Sequence, residues 1–194
     1  MSHPTLVLAS SSPYRAELLS RLNISFEQAS PDVDESPLEN ETAEELVLRL
    51  ALLKAKALET KYPNALIIGS DQVAILDNKI LGKPGNHQNA VQQLKNASGR
   101  TVTFLTSLCL YNSQSKQHQL DVIPYYVSFR DLTDHQIENY LKTEQPYNCA
   151  GSFKSEGLGI TLFASQKGED PNALIGLPLI RLVTMLNNEG IEVI

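Results

Sequence analysis

The chain has 194 residues, 42% of them hydrophobic and 20% charged, with a net charge of −6 at neutral pH. That length is enough for one domain with a real core, or for two small lobes. The acidic balance argues against a general nucleic-acid binder, which carries a basic face, and no apolar run reaches the length of a membrane span.

Cys109 and Cys149 are far apart and outside any CxxC pattern, so no disulfide framework is expected. A reducing cytoplasm is the expected compartment. The start, Met1-Ser2-His3-Pro4-Thr5, lacks a basic segment and a cleavage site, so no signal peptide is expected.

In chain order, Thr5-Leu6-Val7-Leu8-Ala9 reads as a first buried strand. Ser10-Ser11-Ser12-Pro13 follows, with Ser12 as N-cap and Pro13 as first helical residue of a helix through Leu22. Helix N-termini attract anions. Ser10 can add a hydrogen bond and Arg15 can grip a phosphate bidentately, although a capped helix with a surface arginine has the same pattern. A second strand is expected at residues 25–29, then an acidic loop, Pro31-Asp32-Val33-Asp34-Glu35. Its carboxylates, Glu35 among them, either serve a divalent ion or simply face solvent.

Thr42 and Glu45 form a capping box that opens a long helix over residues 42–61. On it, Lys54 shares an apolar face with Val47, Leu50, Ala51 and Leu58, whereas Lys56 lies on another face. A lysine on that stripe either snorkels to the surface or meets an anion.

Residues 65–76 read as a strand, with Asp77-Asn78-Lys79 as a turn. Inside this run Asp71 has no neighbouring Lys or Arg. Burying an unpaired carboxylate costs several kcal/mol or shifts its pKa. Asp71 therefore needs a distant cation, a metal or a water to deprotonate, unless it marks a bulge. Lys83 follows in Leu81-Gly82-Lys83-Pro84-Gly85, a loop from which it either reaches phosphates or faces water.

Residues 86–98 read as a helix closing at Gly99. Residues 101–112 and 119–130 read as a long hairpin, and 133–143 as a helix with a Thr133/Gln136 capping box. The stretch Gly151-Ser152-Phe153-Lys154-Ser155-Glu156-Gly157-Leu158-Gly159 is Gly-rich and by itself a weak signal. A strand at 158–164 and a helix at 179–189 complete the pattern. Alternating helices and strands around one hairpin indicate an α/β fold with a mixed sheet. His3, His87, His118 and His135 have no metal-ligand spacing, and surface positions are expected for all four.

The motifs Leu8-Ala9-Ser10-Ser11-Ser12-Pro13-Tyr14-Arg15, Pro31-Asp32-Val33-Asp34-Glu35, Leu53-Lys54-Ala55-Lys56-Ala57, Gly69-Ser70-Asp71-Gln72-Val73, Gly82-Lys83-Pro84 and Cys149-Ala150-Gly151-Ser152-Phe153-Lys154-Ser155-Glu156-Gly157 occur in that order. Together the set resembles the Maf family of nucleoside triphosphate pyrophosphatases over nearly the whole chain. The resemblance looks closest to the branch acting on 7-methyl-GTP. The thymidine and uridine triphosphate branch usually has Thr where this chain has Gln72, and Gln where it has Glu156.

That resemblance implies a single Maf/ITPase-like domain over residues 1–194, with a curved mixed β-sheet flanked by helices and two lobes around a cleft. It implies Asp71 as catalytic base and Tyr14, Gln72 and Glu156 as specificity residues. Ser10, Arg15, Lys54 and Lys83 would bind phosphate, and Glu35 would help hold a magnesium or manganese ion. A cytoplasmic homodimer that hydrolyses a nucleoside triphosphate, with no nucleic-acid or membrane partner, is the expectation. Broader activity on dTTP, UTP or other non-standard triphosphates is the alternative, and a non-catalytic regulator of septum formation is a second.

Overall fold

The computed structural model describes residues 4–194, and His3 with the two residues before it lies outside the described residues. The elements are β1 (Thr5–Ala9), α1 (Pro13–Ser20), β2 (Glu27–Ala29), α2 (Ala43–Lys56), β3 (Ala65–Leu76), β4 (Lys79–Leu81) and α3 (His87–Ala97). They continue with β5 (Thr101–Asn112), β6 (His118–Phe129), α4 (Asp134–Glu144), two short 3-10 turns, β7 (Phe163–Gly168), α5 (Pro171–Ile175) and α6 (Leu179–Asn188). The strands form a mixed sheet in the order β2-β1-β3-β5-β6-β7, with β4 paired to β3. β1 runs parallel to β2 and β3, whereas β3–β4 and β6–β7 are antiparallel.

The chain clusters into two compact units. The first holds the chain up to Gln72, Thr106–Ile123 and everything from Asp170 onward. β1 after Thr5 and the first half of β3 are buried on both faces, which is why they read as unbroken apolar runs. Leu6, Leu8, Leu66 and Ile68 pack with Leu18 and Leu19 of α1 and Leu182 and Leu186 of α6. Val7, Ala9 and Ile67 belong to a second cluster with Ala51 and Ala55 of α2. Each fully buried Leu or Ile contributes roughly 1.5–3 kcal/mol. Gly69 lets α2 approach β3 closely, because a Cβ there would collide with the Ala51 carbonyl.

The second unit holds Val73–Leu105 and Pro124–Glu169. Phe104, Phe129, Phe153 and Phe163 meet edge to face in its interior, at centroid distances of 4.9–5.6 Å. Such pairs each add about 0.5–1.5 kcal/mol beyond their area.

Five elements depart from expectation, one of them α5, a short helix where no element is expected. α2 stops at Lys56, because Pro63 keeps Tyr62 out of the helical region and the chain tightens into turns first, with Glu59 N donating to Lys56 O (3.0 Å). β2 is only Glu27–Ala29. The turn at Asp77 and Asn78, both at positive φ, folds back a further short strand, β4, that alternation alone does not reveal. Residues 158–162 form a 3-10 turn, and the strand begins at Phe163. Gly159 lies against the Lys154 backbone, so the chain coils there before Phe163 enters the aromatic cluster and pairs with Phe129. Among the described residues no helix is long and apolar enough to cross a membrane.

Candidate active site

The pleat of β3 sorts its central residues onto two faces. Gly69 and Asp71 face α2, and Ser70 and Gln72 face the segment from α5 to Gly176. Asp71 Oδ1 accepts from Lys54 Nζ at 2.6 Å. Both residues are almost fully withdrawn from water, at 6% exposure for Lys54 and 8% for Asp71. The same ammonium lies 2.9 Å from Glu35 Oε1, whose side chain is 60% exposed. The apolar-stripe lysine therefore meets an anion, and the distant cation that Asp71 requires is Lys54.

The backbone at Asp71 is clamped as well. Its N–H donates to Ser107 Oγ (3.1 Å), and that hydroxyl donates to Val47 O of α2 (2.6 Å). Among the described residues only Oδ1 of Asp71 has a hydrogen-bond partner, which leaves Oδ2 available to a water.

Ser12 caps α1, with Pro13 at its first position. Ser10 Oγ accepts from Ser12 N (3.1 Å) and from Arg15 Nη1 (3.5 Å). Arg15 is half-buried, and its Nε donates to Gly176 O (2.8 Å). Burial pulls the guanidinium pKa down, while the charges of Asp71 and Glu35 act in the opposite direction. A guanidinium stays charged in proteins, so the turn keeps a fixed cation beside two carboxylates.

Gly176 O also accepts from Ser70 Oγ (3.0 Å). Gln72 Nε2 donates to Ala173 O (2.8 Å) and lies within hydrogen-bond distance of Leu174 O and Thr106 Oγ1. These acceptors fix the orientation of the amide. Its nitrogen is committed to the protein. The 173–176 segment is itself held by Asp170, which is buried. One carboxylate oxygen accepts from Asn172 N (2.8 Å) and the other from Ile180 N (2.7 Å).

The loop carrying Glu35 is braced on α2 by Arg49. Its guanidinium donates to both carboxylate oxygens of Glu41 (2.5 and 2.8 Å) and to Ser36 O (3.0 Å). Arg49 holds the Glu41 carboxyl down to about 2. The Ser36 N–H lowers the Asp34 carboxyl in the same loop.

The first unit thus brings together Ser10, Arg15, Glu35, Lys54 and Asp71. Gln72 lies on the opposite face of β3, and Tyr14 is exposed on α1. Lys83 and Glu156 belong to the second unit, both exposed. Within that unit the charges of Lys83 and Glu156 both act on the half-buried Cys149 thiol, which burial pushes up.

Four contributors had no clear signal in the sequence: Arg49, Thr106, Ser107 and Gly176. Only Gly176 was findable, because Asp170-Pro171 opens and Gly176 closes a helix of one turn.

Among the described residues no three acidic, His or Cys side chains cluster to hold a metal ion. Magnesium is commonly held by one or two carboxylates together with substrate phosphates. Glu35, exposed and adjoining Asp71 through Lys54, fits that donor chemistry.

Residues 5–189 match the family described as Maf-like protein. The chain is 59% identical over 191 residues to a protein named 7-methyl-GTP pyrophosphatase from Methylobacillus flagellatus, covering 98% of this chain and 100% of that one. A protein of the same name from Pseudomonas aeruginosa is 58% identical over 190 residues, covering 98% and 99%. Among solved structures, a HAM1 protein from Coxiella burnetii superposes with a TM-score of 0.56 at 14% identity, covering 95% of this chain and 99% of that one. The Staphylococcus aureus Ham1 protein gives 0.54 at 13% identity, with the same coverage. At such identities the likeness is one of fold.

Proposed function

The chain belongs to the Maf-like protein family, and on that premise we propose that it is a nucleoside triphosphate pyrophosphatase that converts 7-methyl-GTP to 7-methyl-GMP and diphosphate. The observation that carries the reading is the buried Lys54–Asp71 pair, shared with Glu35 and set beside Arg15. A pair kept for packing alone has no need of a third, exposed carboxylate and a fixed guanidinium.

In the proposed mechanism Arg15, Lys54 and Lys83 neutralise the triphosphate, and Ser10 adds a hydrogen bond. Asp71 Oδ2 takes the proton of the water that attacks the α-phosphorus, while Lys54 holds Oδ1 and fixes the carboxylate plane. A magnesium or manganese ion held by Glu35 and the phosphates would supply further charge stabilisation. Most of the rate enhancement is electrostatic, as in other phosphoryl transfers.

Gln72 Oε1 and Glu156 read the base, and Tyr14 stacks on it. N7-methylated guanine carries a positive charge, which a carboxylate and an aromatic face both favour. The enzyme acts in the cytoplasm as a homodimer and removes modified nucleotides before they enter nucleic acid.

The test is diphosphate release from a panel of 7-methyl-GTP, GTP, dTTP, UTP and deaminated purine triphosphates, with magnesium or manganese. The expected result is a preference for 7-methyl-GTP that Glu156→Gln weakens relative to UTP. A preference for dTTP or UTP would shift the assignment to the other branch. No release from any triphosphate would favour a nucleotide-binding regulator.

A further inference from the structure

The second unit holds two loops that the proposed function uses, one bearing Lys83 and one bearing Glu156, and one side chain bridges them. Gln93 lies on α3, half-buried. Its Nε2 donates to Gly82 O at 3.0 Å, on the residue before Lys83. Its Oε1 accepts from Ser152 Oγ at 2.5 Å. The amide has a carbonyl acceptor at one end and a hydroxyl at the other, so both ends are used and the orientation is fixed.

Ser152 is fully buried and has a φ of +64°, next to Gly151 at +75°. A non-glycine residue in that region is strained and persists only where its surroundings hold it. Here the Ser152 N–H donates to Cys149 O (3.2 Å) and its hydroxyl is held by Gln93. The turn it holds roots the segment that leads to Glu156.

Other anchors serve one loop each. Asn89 Nδ2 donates to Pro84 O (2.9 Å), and Gly85 N donates to Tyr147 O (2.9 Å), on the Lys83 side. Lys154 N donates to Tyr140 Oη (3.1 Å), and Leu158 N donates to Glu144 Oε2 (2.9 Å), on the Glu156 side. Gln93 alone among these side chains bonds to both.

We propose that Gln93 is a positioning residue that locks the Lys83 loop and the Gly151–Ser152 turn into one register. Binding of phosphate by Lys83 and reading of the base by Glu156 are thereby coupled. The coupling rests on the proposed function for its consequences, but the mechanical link does not.

Amide hydrogen exchange on the full chain tests that link directly. Gln93→Leu should raise exchange about 5- to 10-fold in peptides covering both 82–86 and 150–158, the change expected from losing about 1 kcal/mol of bonding. Asn89→Ala should raise it only in the first. Loosening of only one loop, or of neither, in Gln93→Leu overturns the proposal.

Kinetics on the triphosphate panel then separate the two arms. Gln93→Glu keeps the acceptor for Ser152 and loses the donor to Gly82, so it should raise KM for all triphosphates alike, the result also expected of Lys83→Ala. Ser152→Gly suits the positive φ and removes only the hydroxyl, so it should instead reduce discrimination between bases. If Lys83→Ala raises KM while Gln93→Leu alters neither KM nor discrimination, this inference fails and the proposed function stands. If Lys83→Ala changes nothing and Gln93→Leu still loosens both loops, the role of Lys83 fails and the coupling stands.

Discussion

Lys54 and Asp71 meet at 2.6 Å in a nearly water-free setting, and the same ammonium also reaches Glu35. One cation thus orders two carboxylates, one buried and one exposed. Taking away one partner of a buried pair typically costs about 3–5 kcal/mol, because the other is left uncompensated. Lys54→Met should therefore lose both activity and stability, by roughly 3 kcal/mol in urea unfolding. Unfolding indistinguishable from wild type would mean that the pair is not buried in solution.

Asp71→Asn keeps the shape and an acceptor oxygen for Lys54 but loses the base. Diphosphate release should fall by about 10²–10⁴-fold, the usual cost of removing a general base, with far less loss of stability than Lys54→Met. Retention of more than about 10% of activity would rule out Asp71 as the essential base.

Gly176 stands at a φ of +125°, and a Cβ there would lie 3.4 Å from Arg15 Nε. Gly176→Ala should cost about 1–3 kcal/mol through strain and displace the carbonyl that holds both Arg15 and Ser70. KM for the triphosphate should rise more than kcat falls, because the residues displaced bind anions rather than move protons. A fall confined to kcat would contradict the role given to Arg15.

Asp170 supplies one carboxylate oxygen to the start of α5 and the other to the start of α6. Losing an N-cap costs roughly 0.5–2 kcal/mol, and Asp170 serves two helix starts. Asp170→Ala should lower stability by about 2 kcal/mol or more and weaken substrate binding through the 173–176 segment. Steady-state kinetics alongside thermal melts would test both effects.

The Glu41–Arg49 pair predicts a pH effect with a definite sign. The folded-state pKa of Glu41 is held at about 2, below its ordinary value of 4.5, so ionisation favours the folded state. Its contribution is complete above about pH 4.5 and is lost as pH falls towards 2. Stability measured across that window should decline more steeply for wild type than for Glu41→Gln. Parallel curves would show that the pair contributes nothing.

Much of the chain was legible in advance where local chemistry decides structure. Ser12, Thr42 and Thr133 cap their helices as their positions suggest, because a capping side chain acts within three residues of itself. Lys54 was legible as a residue on an apolar face, and Asp71 as a carboxylate in need of a partner. That they partner each other was not, since 17 positions separate them and only the packing of α2 on β3 joins them. Arg49 stayed silent for a similar reason: its role lies in bonds to a loop that the sequence does not place. The 3-10 turn at 158–162 was misread as strand because its apolar residues suggest a buried run, whereas Leu158 and Ile160 are exposed and the chain coils there.

Asp71 and Gln72 are consecutive, yet the pleat of β3 sends one towards α2 and the other towards α5. On the roles proposed above, the residue for cleavage and one residue for nucleotide choice would rest on different faces of β3. On those roles, substitutions in the α5 layer that spare the Gly176 carbonyl would retune Gln72 and leave the Lys54 contact intact. The arrangement has one weakness: a single-residue insertion or deletion in β3 ahead of Asp71 would exchange the two roles at a stroke, and both would be lost together.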